Sequence, residues 1–158
     1  MASRTMWLFL LLGCVSSPGG LGDNIFRPSC PSGWFHHKSH CYGYFRKLRS
    51  WSDAELECQS YGEGSHLASV LSQKEVSVLS EYISGYQRSQ PVWIGLHDPH
   101  KTQHWEWTDG SAYLDRSWRA RAMSGDGYCA HLTPRSKFLT WNETQCSKHQ
   151  HFLCKYRP

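Results

Sequence analysis

Six consecutive residues, Asp98-Pro99-His100-Lys101-Thr102-Gln103, place a carboxylate, an imidazole, an ammonium, a hydroxyl and an amide directly after the apolar run Val92-Trp93-Ile94-Gly95-Leu96. Mixed donors and acceptors on a loop leaving a rigid buried element suit the hydrogen-bonded capture of a polar ligand. Pro99 stiffens this loop. A second polar loop, Pro134-Arg135-Ser136-Lys137, precedes Phe138-Leu139-Thr140-Trp141 and offers another donor set. Covalent and metal chemistry find less support. His36, His37, His40, His149 and His151 are candidate zinc ligands, but no His-Glu-x-x-His pattern joins them. No Gly-x-Ser-x-Gly elbow marks a nucleophile. The chain reads as a binding protein, not an enzyme, with no cofactor and no metal.

Basic segments suggest a competing ligand. Arg46, Lys47 and Arg49 lie close together, and Lys148, His149, His151, Lys155 and Arg157 crowd the C-terminus. Such clusters attract acidic glycans of the heparin type, more strongly in acid, where the ten histidines protonate. The net charge of +4 is too small to indicate nucleic acid.

Seven cysteines fix the expected compartment. Arg4 precedes an apolar run from Met6 to Leu12, and Gly20-Leu21-Gly22 supplies a small-x-small cleavage pattern before Asp23. The run is too short to cross a bilayer, and no later segment is long and apolar enough for membrane insertion. Residues 1–22 are therefore expected to be a signal peptide that removes Cys14, with 23–29 as a tail and 30–158 as one domain. Cys30, Cys41, Cys58, Cys129, Cys146 and Cys154 remain, an even set that implies a disulfide framework in a secreted, extracellular protein. Several connectivities are open at this point.

The elements that must position these groups show in the helix-cap signals. Ser52-Asp53-Ala54-Glu55 has the form of a capping box, with Trp51 and Leu56 as its staple, and predicts a helix from about Asp53 to Tyr61 that stops at Gly62. Ser72-Gln73-Lys74-Glu75 is a second box, with Leu71 and Val76 as staple. Val76, Leu79, Tyr82 and Ile83 follow as an apolar helical stripe that ends at Gly85. Beyond Pro91 short aromatic and β-branched runs take over, so the fold class is α+β. Gly95 permits close backbone approach, Asp109-Gly110 makes a turn, and the tryptophans read as core rather than as stacking platforms.

Taken in order, several features resemble the C-type lectin-like domain. They are Gly33-Trp34, Cys41-Tyr42, Trp51, Ala54 and Cys58, His66-Leu67-Ala68, Trp93-Ile94-Gly95-Leu96, Trp105-Glu106-Trp107 with Asp109-Gly110, Cys129, Trp141, Cys146, and Phe152-Leu153-Cys154. The short form with an extra early cysteine pair is similar to the regenerating (Reg) family. That resemblance implies two helices, short antiparallel strands, a long loop region and three disulfides, Cys30 with Cys41, Cys58 with Cys154, and Cys129 with Cys146. It also implies carbohydrate binding.

Calcium-dependent lectins of this fold hold the ion with a Glu-Pro-Asn or Gln-Pro-Asp triplet and a Trp-Asn-Asp triplet. The corresponding loop here, Arg119-Ala120-Arg121-Ala122-Met123-Ser124-Gly125-Asp126-Gly127-Tyr128, has no proline, no Asn and one acid, and its two arginines repel a cation. Trp141-Asn142-Glu143 keeps half of the second triplet, and Asn142-Glu143-Thr144 is a glycosylation acceptor. The expectation is a calcium-independent lectin for mannose-type polysaccharide, mannan, active at acidic pH in the gastrointestinal tract. Its ligand-binding residues are Asp98 to Gln103 and Arg135, Ser136 and Lys137. The alternatives are heparin-type binding and a trophic ligand for an epithelial cell-surface receptor. The family's bactericidal Glu-Pro-Asn loop is absent, and Arg27, followed by Pro28, resists the tryptic trimming known in other members.

Overall fold

The computed structural model describes residues 29–114 and 127–158. The expected signal peptide, most of the tail, and the loop residues Arg119 to Asp126 lie outside them. Strand β1 (Phe35–His37) and strand β2 (His40–Arg49) form a hairpin whose turn residues, Lys38 and Ser39, have positive φ, as a two-residue turn between twisted strands requires. Helix α1 (Trp51–Gln59), β3 (His66–Leu67), helix α2 (Gln73–Ser84), β4 (Val92–His97) and β5 (Glu106–Trp107) follow. After the second described segment begins come β6 (Cys129–Leu132), a 3-10 turn at Pro134–Ser136, β7 (Trp141–Thr144) and β8 (Gln150–Tyr156).

One sheet runs in the order β1-β2-β8-β4-β6-β7, with β3 on β8 and β5 on β4. The α+β class, two helices and three disulfides are as expected, but the sheet is mixed, because β4 and β8 run parallel. The strands are also not all short. β2 spans 10 residues before either helix, and no alternation announces it because Cys41, Tyr42 and Gly43 are all buried.

Helix α1 starts earlier than its cap signal suggests. Ser50, not Ser52, is the N-cap, and its hydroxyl accepts the Asp53 N–H. Leu56 is 64% exposed and forms no staple, while Trp51 turns inward. Freed from capping, buried Glu55 crosses to the sheet. Its Oε1 accepts the Leu67 N–H at 2.8 Å, and its Oε2 meets His66 Nδ1 at 2.6 Å and the Thr108 hydroxyl at 3.0 Å. The helix ends at Gln59 with Ser60 as cap, short of Gly62.

Helix α2 follows its signals more closely. Ser72 caps it, Val76, Leu79 and Ile83 are fully buried, and Gly85 ends it. Glu75 does not close the box on Ser72 but accepts the Leu71 N–H at 2.9 Å and the Lys155 ammonium at 2.8 Å. That carboxylate also accepts the Tyr42 hydroxyl, whose ionisation burial pushes well upward.

The helices, the sheet and the rings of Trp93, Trp107 and Trp141 enclose the core. Gly95 lies where β4 crosses the end of β3. A Cβ there would sit 2.5 Å from the Leu67 carbonyl oxygen, so no larger residue fits. The disulfides join Cys30 to Cys41, Cys58 to Cys154 and Cys129 to Cys146, the pairing the resemblance implies. The second ties α1 to β8 and closes a loop of 96 residues.

Candidate functional site

The antiparallel register of β4 and β6 places the two polar loops. Val92 lies opposite Leu132 and His97 opposite Cys129, so the loop after His97 and the loop after Leu132 leave opposite ends of β4. Six strand residues span about 20 Å, so the two loops cannot converge on one sugar ring.

The first loop is organised by Asp98, which is only 3% exposed. Its Oδ1 accepts the Thr102 N–H at 3.1 Å and its Oδ2 the Gln103 N–H at 2.8 Å, while its carbonyl accepts the Lys101 N–H at 3.3 Å. The carboxylate expected to face a ligand is thus a clasp turned inward. Pro99, His100, Lys101, Thr102 and Gln103 are all exposed, so the outward-facing polar groups are donor-rich. Thr102 Oγ1 lies 3.1 Å from His104 Nδ1. Lys101 and Gln103 hold positive φ of 58° and 67° without being glycine, a conformation that persists only where the surroundings impose it.

Beside this loop opens a cleft of about 460 Å³ lined by Trp51, His97, Asp98, Pro99, Lys101 and Tyr128, among others. The Trp51 indole donates to the Ile94 carbonyl at 2.9 Å and stacks on the His97 ring with centroids 4.4 Å apart. Burial lowers the His97 pKa below the ordinary imidazole value, against the pull of Glu106, so the ring is held toward its neutral form.

The second loop is built on similar lines. Ser136 Oγ donates to the Thr133 carbonyl and accepts from Thr140 N–H and the Thr140 hydroxyl, which turns it inward. Lys137 and Phe138 have positive φ, and Ser80 on α2 donates to the Lys137 carbonyl at 2.6 Å. Arg135 and Lys137 stay exposed. Lys137 lines a notch of about 180 Å³ with Ser84, Arg88, Pro134 and Phe138. Arg88 escaped the sequence-based expectation because it lies 49 positions from Lys137 in the numbering, and nothing local pairs them.

The basic clusters come out thinner than expected. Lys155 is 7% exposed and belongs to the core, where it donates to Glu75 and to both oxygens of Ser69. His151 is half-buried with its Nδ1 2.8 Å from the Tyr44 hydroxyl. Lys47 and Arg49 share Glu57, and Arg46 lies over the Tyr86 ring at 5.2 Å. Lys148, His149 and Arg157 remain exposed. Among the described residues, no group of three or more His, Cys, Asp or Glu side chains is arranged to hold a metal ion. Asn142 lies on β7 opposite His131, and its side-chain oxygen accepts the Glu143 N–H.

Comparison with known proteins decides the family. The C-type lectin domain matches residues 47–156. Human regenerating islet-derived protein 4 is 66% identical over 158 residues, covering 100% of both chains. The chain belongs to the Reg family of C-type lectin-like proteins. A C-type lectin, mannose-binding isoform, of Notechis scutatus scutatus is 38% identical over 80% of this chain and 82% of its own. Human lithostathine superposes with a TM-score of 0.72 at 33% identity, covering 85% of this chain and 94% of that one. Membership in the Reg family makes the protein a lectin-like, carbohydrate-binding one. The mouse and rat forms of regenerating islet-derived protein 4 are likewise 64% and 63% identical, over 99% and 100% of this chain.

Proposed function

We propose that this Reg-family protein is a secreted lectin that holds mannose-type polysaccharide through two separate loops and without calcium. The observation that carries this reading is the placement of the strained backbone. Six non-glycine residues have positive φ among the described residues. Two make the β1–β2 turn, and the other four are Lys101, Gln103, Lys137 and Phe138, in the two polar loops. Strain retained by buried clasps is a mark of preorganised binding surfaces. Two shallow sites at opposite ends of one strand suit a repeating polymer, because simultaneous engagement multiplies weak contacts.

Three further observations support parts of the reading. The relative from Notechis scutatus scutatus carries a mannose-binding name. The loop sequence offers too few oxygen ligands for calcium, which needs six to eight. Three disulfides and an apolar leader accord with secretion, and among the described residues no helix is long and apolar enough to cross a membrane. Activity at acidic pH in the gastrointestinal tract is part of the proposal. Asn142 is proposed to carry an N-linked glycan.

The experiment is mannan retention with and without a chelator, on the protein and on a variant with alanine at His100 to Gln103. Unchanged retention with chelator and weakened retention in the variant support the reading; complete loss with chelator refutes it. The notch between Arg88 and Lys137 favours one second reading, an acidic glycan held by charge. Retention on heparin that fades steeply with salt separates it from neutral-sugar binding.

A further inference from the structure

We propose that Tyr128 is the ligand-facing platform of the cleft beside the first polar loop, the surface on which the apolar face of a pyranose ring rests. This rests on the carbohydrate reading of that loop and adds a residue outside it. Tyr128 is 41% exposed, whereas Trp51, the other large aromatic lining the cleft, is 7% exposed and committed to Ile94 and His97. A sugar ring has a face of C–H groups and a rim of hydroxyls. The Tyr128 ring offers an apolar surface for the former; Lys101 Nζ, which lies over that ring 5.1 Å from its centroid on an exposed side chain, swings aside to admit the sugar and supplies donors for the latter.

The platform is set by the same clasp that shapes the loop. Asp98 donates its N–H to the Tyr128 carbonyl at 2.8 Å while its carboxylate holds Thr102 and Gln103. On the other side Gly127 is buried so closely against β7 that a Cβ would collide with the Thr144 carbonyl. The next residue, Cys129, is bonded to Cys146. The backbone of Tyr128 is therefore anchored before, at and after the residue, while its ring projects into the cleft. Such anchoring reduces the ordering cost of binding. The anchors are all main-chain or neighbouring groups, so truncating the ring leaves them in place.

The test uses the secreted, disulfide-bonded protein and yeast mannan as probe, with Tyr128→Ala, Tyr128→Phe and the His100 to Gln103 alanine variant compared by affinity and thermal midpoint. Tyr128→Ala is expected to weaken mannan binding about tenfold. Its midpoint should move by less than about 2 °C, because the change is at the surface. Tyr128→Phe is expected to bind like the parent, because the ring face carries the contact. If Tyr128→Ala binds like the parent while the loop variant loses binding, the platform is refuted and the carbohydrate reading stands. If neither variant loses binding, the assignment of the sugar to this loop falls, and the platform with it; if the parent itself fails to bind mannan, the carbohydrate reading falls as well. Equal loss in Tyr128→Ala and Tyr128→Phe assigns the contact to the hydroxyl and overturns the stacking role.

Discussion

Lys155 Nζ lies 2.8 Å from Glu75 Oε2, with side chains only 6% and 10% exposed, so β8 and α2 are joined through an ion pair inside the core. Tyr42, Ser69 and the Leu71 N–H complete its hydrogen bonding. Removing one partner of such a pair leaves an uncompensated buried charge at a cost of about 3–5 kcal/mol. Lys155→Met is expected to lose stability on that scale, read as a lower denaturation midpoint in urea with the slope unchanged. A loss below about 1 kcal/mol would contradict the account.

Asp98→Ala removes both acceptors of the loop clasp and leaves two backbone N–H groups to solvent. The expected cost is about 1–3 kcal/mol, confined to the loop, with mannan affinity reduced. Amide exchange supplies the check. Protection of the Thr102 and Gln103 amides should fall, while that of β4 and β8 stays at the global level.

His131 sits against Trp93 with its Nδ1 3.0 Å from the Gln150 side-chain oxygen, and burial pushes its pKa down to about 4 from 6.5. A depressed folded-state value means that the neutral ring stabilises the fold. This contribution is full above the unfolded pKa and is lost as pH falls from 6.5 toward 4. Once lost it amounts to about 3 kcal/mol. A His131→Gln variant should show a flatter dependence of stability on pH across that window, measured by denaturation at several pH values. An unchanged slope refutes the assignment.

The Cys58–Cys154 bond closes the longest loop. Chain-entropy arguments assign it about 4–5 kcal/mol, against roughly 3 for each of the others. Replacing both of its cysteines by alanine should lower the thermal midpoint more than replacing Cys30 and Cys41. The reverse order would show that strain or residual unfolded structure dominates.

Thr144 is 5% exposed in the folded chain, so any glycan on Asn142 must be attached before β7 is packed. Protein from a mammalian secretory host should shift in mass on treatment with a glycosidase specific for N-linked chains, and Asn142→Gln should abolish the shift. No shift in the parent protein excludes the modification.

Features set by neighbours along the chain were legible in advance. Ser72 caps α2 because its hydroxyl needs only the Glu75 N–H three residues on, and Gly85 ends it for similarly local reasons. Gly95 was readable because a glycine within an apolar strand implies a crossing backbone. The cap of α1 was misplaced because Ser50 and Ser52 are both suitable residues, and the inward turn of Trp51 decides between them.

Composition and spacing carried the disulfide-rich α+β class and the two polar loops, since each depends on residue type and short-range order, while the shortage of calcium ligands showed only against the triplets that the lectin resemblance implies. Packing assigned the inward clasp of Asp98, the burial of Lys155, the pairing of Arg88 with Lys137 and the exposure of Tyr128. Lys155 illustrates the reason. A lysine near a chain end reads as solvated charge, and only a carboxylate 80 residues away, brought to hydrogen-bond distance, makes its burial tolerable.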